Sequence, residues 1–252
     1  MTYTVLSAPA SPNESAALVD IDFDWLDMHL RQGRYDSLAA MCTTLAERSD
    51  LSPEQRGYVR FFEGMVALRR GDTAQSVECL IAASETAPAY ARTRAIAVRA
   101  AVKLSDGDVS GARELVAPLA GRRPLDYATL TTWGRILLAS GDESGAWSSF
   151  VEALELEPTG IDAVHQIVAL GLAAERVLTL KRLLTRFIDL EPENLNVRSL
   201  LAAACLASGD DDRARRELSR ITAFAGLVPL DEEARTVLET VGKTLAAKAE
   251  GP

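Results

Sequence analysis

The sequence predicts an all-α chain arranged as an α-α superhelix, a solenoid of antiparallel helix pairs. Three observations predict it. A phrase of glycine-centred turn, apolar segment and proline recurs, with Gly71 to Pro88, Gly107 to Pro124 and Gly141 to Pro158 each 17 residues apart. Apolar residues ahead of the glycines keep helical spacing, as in Leu130, Trp133, Leu137 and Leu138. The 252 residues are 48% hydrophobic and 25% charged, the balance of a folded chain long enough to bury a large core.

The elements follow in order. Gly33 in Gln32-Gly33-Arg34-Tyr35 opens the series, and a longer linker then runs to Pro53. Arg70-Gly71-Asp72, Asp106-Gly107-Asp108 and Ser140-Gly141-Asp142 mark the next three turns. Pro124, Pro158 and Pro192 stand 34 residues apart, a frame that puts Glu175 at the fifth turn and Gly209 of Ser208-Gly209-Asp210 at the sixth. Within each unit the glycine closes one helix by accepting a left-handed conformation. An Asp or similar polar residue opens the next helix, and the proline prevents that helix from running on. Two short amphipathic helices cannot cover their own apolar faces, so each pair must stack on the next.

Ser140-Gly141-Asp142, Ala146, Phe150, Ala153-Leu154, Leu156 and Pro158, preceded by Trp133-Gly134, resemble a tetratricopeptide repeat, and the likeness runs from about Asp22 to Thr222. The resemblance implies that Gly64 and Gly134 are the small residues of a first helix that let the second approach. Ala112, Ala146 and Ala214 are their counterparts on the second helix. Leu38 and Leu180 replace that alanine in the first and fifth units, Ser76 replaces it in the second, and Glu175 replaces a turn glycine. The expected organisation is a mobile tail over 1–15, an array of six pairs over 16–230 and a C-terminal capping helix over 231–248. In the last of these, Ala234, Val237, Leu238, Val241 and Leu245 form an apolar stripe, and Glu232, Glu233, Arg235, Glu239 and Lys243 face outward.

Function classes fall away on chemistry. With 27 basic against 36 acidic residues, a net charge of −9 disfavours nucleic acid and anionic membranes as partners. No apolar run approaches a membrane span, and residues 1–15 carry no Lys or Arg and no leader-like apolar stretch, so the expected location is cytoplasmic. The Arg- and Ala-rich usage suggests a bacterial source. Cys42, Cys79 and Cys205 lie too far apart for the usual zinc spacing and read as reduced core thiols. Only His29 and His165 are present, in distant units, and no phosphate-binding loop or dinucleotide fingerprint occurs, so the reading is a non-enzyme without cofactor or metal. Asp20, Asp22, Asp24 and Asp27 read as a solvated end face. Arg213, Arg215, Arg216 and Arg220 read as a helix face neutralised by Asp211, Asp212 and Glu217.

In the family resembled, first helices line a concave groove that takes peptides or partner helices. That implies an inner strip of Tyr58, Phe61, Phe62 and Met65, then Arg94 and Val98, then Thr131, Thr132 and Arg135, then His165 and Gln166, ending at Asn196 and Ser199. Spacing alone also allows Tyr58, Phe62 and Met65 a core role, favoured for Phe62, since i, i+4 and i+7 is also a packing stripe. A relative that clamps a chaperone C-terminus with cations is disfavoured, because only Arg94 matches and Asp27 has the wrong sign. The expected function is a scaffold or adaptor for a protein or peptide. An escort subunit working through its convex face or cap is the alternative, an enzyme with its site in the groove comes third, and the end faces allow self-association.

Overall fold

A computed structural model describes residues 23–120, 125–172, 176–224 and 226–249. The predicted tail, Glu175 and Pro124 lie outside them. Among the described residues there are thirteen helices and no strand. Six antiparallel pairs follow one another: α1 Phe23–Arg31 with α2 Tyr35–Ala46, α3 Pro53–Arg69 with α4 Thr73–Thr86, and α5 Ala89–Ser105 with α6 Val109–Ala120. Then come α7 Tyr127–Ala139 with α8 Glu143–Leu156, α9 Ile161–Gly171 with α10 Val177–Leu190, and α11 Leu195–Ala207 with α12 Asp211–Phe224. The helix α13, Glu232–Ala249, follows alone.

The reversals are built as the sequence predicts. Gly33, Gly71, Gly107, Gly141 and Gly209 all adopt positive φ, from 67° to 82°. At the second turn the Gly71 N–H donates to the Leu68 carbonyl (3.1 Å) and the Asp72 N–H to the Ala67 carbonyl (3.0 Å), the paired bonds of a Schellman closure. The Asp72 carboxylate then accepts from the Gln75 N–H at 3.0 Å and caps α4. Asp108, Asp142 and Asp210 do the same for Gly111, Gly145 and Arg213. One Gly-Asp step thus ends one helix and starts the next.

Small residues set how closely the pairs approach. A Cβ on Gly64 would sit 2.8 Å from Leu80 Cγ, and one on Gly134 would sit 2.6 Å from Phe150 Cε1. Ala112, Ala146 and Ala214 are fully buried on the facing helices. Where Leu38 and Leu180 take the alanine position, both side chains are still fully buried, and α1 with α2 and α9 with α10 touch more sparsely than the other pairs. Both pairs include a short first helix, of 9 residues in α1 and 11 in α9.

Odd-numbered helices contact each other in succession from α1 to α9 and form the inner layer, while even-numbered helices lie outside. The apolar core falls into a cluster under α1–α5, a larger one from α6 onward, and a small seam of Ala100, Ala112, Val116 and Ile136 between them. The helix α13 lies against α11 and α12, with Ala234, Val241 and Leu245 buried and its charged residues outward. All three thiols are free and buried, and burial pushes Cys42 up to about 12, which leaves it protonated and unreactive.

Two substitutions test this packing by urea denaturation. Gly134→Ala drives a methyl into the Phe150 ring and is expected to cost about 1–3 kcal/mol. Ser76 is fully buried and its Oγ has no hydrogen-bond partner among the described residues. Restoring the small apolar residue with Ser76→Ala is expected to stabilise the fold by about 1 kcal/mol.

Candidate functional site

The inner layer divides into two regions of different character. In the first, α3 presents Tyr58, Phe61, Phe62 and Met65 between α1 and α5. Phe61 and Phe62 are fully buried, so they form the floor of the first three units and not a ligand-contacting surface; this corrects their placement on the groove wall. Phe23, Tyr58 and Phe62 pack ring to ring at 4.7 and 4.9 Å, and Phe61 meets Phe62 edge-on at 5.3 Å. Tyr58 and Met65 remain half-buried against this cluster. Burial and the nearby Asp27 carboxylate push the Tyr58 hydroxyl up to about 12, so it acts as a neutral hydrogen-bonding group.

Arg94 does not point a free guanidinium into this region. Its Nη1 donates to Asp27 Oδ1 at 2.9 Å and to the Tyr90 hydroxyl at 2.8 Å, while the guanidinium lies over the Phe61 and Tyr90 rings at 5.2 Å from each. Asp27 also accepts from Arg31 Nε at 2.6 Å. The side chains of Arg94 and Asp27 are only 19% and 12% exposed. Asp27 is therefore an internal counter-ion and not part of a solvated acidic face, whose Asp20 and Asp22 lie outside the described residues. The carboxylate that Arg94 holds is the protein's own.

The second region is open. Tyr127, Ala128, Thr131, Thr132 and Arg135 of α7 face Asp162, His165 and Gln166 of α9 across a depression of about 320 Å³. Four predicted site residues, Thr132, Arg135, His165 and Gln166, thus come together. Local chemistry holds the walls. The Asp126 carboxylate caps α7 by accepting from the Thr129 N–H at 2.7 Å. The Tyr127 hydroxyl accepts from the Ala163 N–H at 3.2 Å, tying α7 to the first turn of α9. That ring lies where a Cβ on Gly160 would be, 2.2 Å from its Cε2, so only glycine admits it. Thr131 is buried, and its Oγ1 donates to the Tyr127 carbonyl at 2.8 Å. Among the described residues neither Arg135 nor His165 has an ion pair or a side-chain hydrogen bond. Tyr127 gave no sequence signal, because its role depends on a contact 36 residues away. Val98 is half-buried. Farther along, Ser199 is fully buried and donates to the Asn196 carbonyl, which removes it from the strip.

Among the described residues no group of three or more His, Cys, Asp or Glu is placed to hold a metal ion, and no helix is long and apolar enough to cross a membrane.

The family model of the tetratricopeptide repeat matches residues 181–227, which span most of α10, all of α11 and α12 and the loop beyond. The same helix–glycine–helix unit recurs ahead of it. The described chain thus has the fold of tetratricopeptide repeat proteins, and residues 181–227 match the family itself. Its fold is similar to the crystal structure of a tetratricopeptide repeat protein from Parabacteroides merdae, with a TM-score of 0.50 and 15% identity over 90% of this chain and 86% of that one. The TPR domain of P58(IPK) aligns with a TM-score of 0.35 and 17% identity over 91% of this chain and 66% of the other. Among curated proteins none matches the sequence. Within this array of helix pairs the two inner regions differ by how they use charge, paired at the start and open in the middle.

The pairing is tested by thermal denaturation. Asp27→Ala leaves Arg94 without its carboxylate in a largely enclosed site and is expected to cost up to about 3 kcal/mol. Arg31→Ala, whose side chain is 70% exposed, is expected to cost less than about 1 kcal/mol.

Proposed function

We propose that the protein is a non-enzymatic scaffold or adaptor that holds an extended peptide or a helix of a partner protein along its inner face. The Arg135 guanidinium carries the reading. It lies in an open depression, has no internal counter-ion among the described residues, and stands beside hydrogen-bonding groups from two successive inner helices. A guanidinium grips a carboxylate in two-point fashion, and Gln166 and His165 offer donors and acceptors for a peptide backbone. Tyr58 and Met65 add apolar contact toward the other end of the strip, with Phe61 and Phe62 stiffening them from behind. The array, over about 16–230, is the binding body and residues 231–248 are its cap. The three buried free thiols suit a reducing, cytoplasmic setting.

The test needs a partner captured from the native host and confirmed with purified components. Arg135→Ala and Gln166→Ala are each expected to weaken that complex by about tenfold in calorimetry, equivalent to about 1.4 kcal/mol. Arg94→Ala is expected to lower the melting temperature instead. Unchanged affinity in both groove variants overturns the assignment.

A further inference from the structure

A second site lies on the loop edge of the last helix pair, away from the inner-face depression. Pro192, Glu193, Leu195 and Arg198 at the start of α11 face Arg220 and Phe224 at the end of α12 and Leu227 and Val228 beyond it, around a cavity of about 670 Å³. Its apolar wall is open to water, with Phe224 53% and Leu227 80% exposed. Exposed apolar clusters of this kind mark contact surfaces.

The lining carries two guanidinia, Arg198 and Arg220, against one carboxylate, Glu193. Glu217 is buried, and its Oε2 is taken by Arg198 Nη1 at 2.6 Å, with Arg198 Nη2 anchored on the Pro192 carbonyl at 2.6 Å. The remaining oxygen, Oε1, is shared at long range by Arg213 Nε at 4.0 Å and Arg220 Nη1 at 3.5 Å. One carboxylate thus serves three guanidinia. A full charge-assisted bond is shorter, at roughly 2.7–2.9 Å. Arg220 is therefore under-bonded at the cavity mouth, with its side chain 61% exposed. The other acids of α12 are used elsewhere: Asp211 binds Lys248 and Asp212 binds Arg215. Arg216 is exposed and has only a longer-range Coulombic interaction with Asp210, whose carboxylate already accepts from Lys181 at 3.0 Å. The neutralisation read from the sequence of α12 is thus incomplete on this face. Arg216, Arg220 and Phe224 recur every fourth residue, a stripe about 12 Å long at 1.5 Å per residue, and it runs into the apolar wall.

We propose that this edge is a docking site for a short acidic-apolar segment of a partner protein, with carboxylates on Arg216 and Arg220 and a large apolar side chain seated between Leu195, Phe224 and Leu227. The cationic stripe stands out in a chain whose net charge is −9, so it selects an acidic segment while the rest of the surface repels one. The stripe outreaches a single small molecule, and its apolar half suits a peptide and not a phosphate backbone. This site is independent of the Arg135 depression.

The probe is a fluorescein-labelled twelve-residue peptide of alternating leucine and glutamate pairs, followed by fluorescence anisotropy. Comparison probes replace leucine by serine or glutamate by lysine, and a labelled single-stranded oligonucleotide serves as the fourth. The leucine–glutamate peptide alone is expected to bind. Arg220→Glu and Leu227→Ser, both at exposed positions and checked by circular dichroism, are each expected to weaken it at least tenfold. Arg215→Glu, the same charge change on the other side of α12, is expected to leave it within twofold. Four results overturn the proposal: unchanged affinity in both edge variants, loss with Arg135→Ala in their place, equal binding of the oligonucleotide, or a concentration-dependent dimer in light scattering that the edge variants abolish.

Discussion

The chain turns back on itself at a glycine followed by an aspartate, and the rest of the structure depends on that reversal. The glycine supplies the left-handed residue that closes one helix, and the aspartate both donates to that helix's last turn and caps the next. Once the two helices are held antiparallel, each still carries an uncovered apolar face, and stacking of successive pairs is the way to bury it. Small residues then decide how tightly each pair closes. Gly64 and Gly134 admit Leu80 and Phe150 almost to the backbone.

A stacked array leaves an inner surface, and charge divides it. At the start, Arg94 and Asp27 satisfy one another over a floor of aromatic rings, so this guanidinium is already paired with a carboxylate of the protein. In the next two units, α7 and α9 are tied together by Tyr127 and the Ala163 amide, and Arg135 in the depression between them is unpaired among the described residues. The unpaired guanidinium of the inner face thereby lies toward the middle of the array.

The last pair solves a different problem. A buried Arg198–Glu217 pair braces α11 against α12, and such a pair holds geometry more than it adds stability, since desolvation offsets much of its Coulombic gain. Because Glu217 accepts one short bond, from Arg198, and has Arg213 and Arg220 only at 4.0 and 3.5 Å, the arrangement leaves cationic character on the outer edge of an acidic protein.

The reversal points, the pairing of helices and the stripe of α13 were legible in the sequence, because each is encoded by chemistry within a few residues: a glycine that tolerates positive φ, an aspartate three residues from the amide it caps, apolar side chains at helical period. The composition of the inner strip was legible as well, but not its use. Phe61 and Phe62 carry the spacing of a contact surface and of a core alike, and only the packing of α1 and α5 on either side assigns them to the core. Whether an arginine is free or paired is likewise settled by residues distant in the chain, as with Asp27 and Arg94, 67 positions apart. Local sequence determined where this protein bends and how its helices pair; tertiary contact alone decided which of its charges face outward unsatisfied, because a counter-ion supplied by another repeat leaves no trace in the spacing of either one.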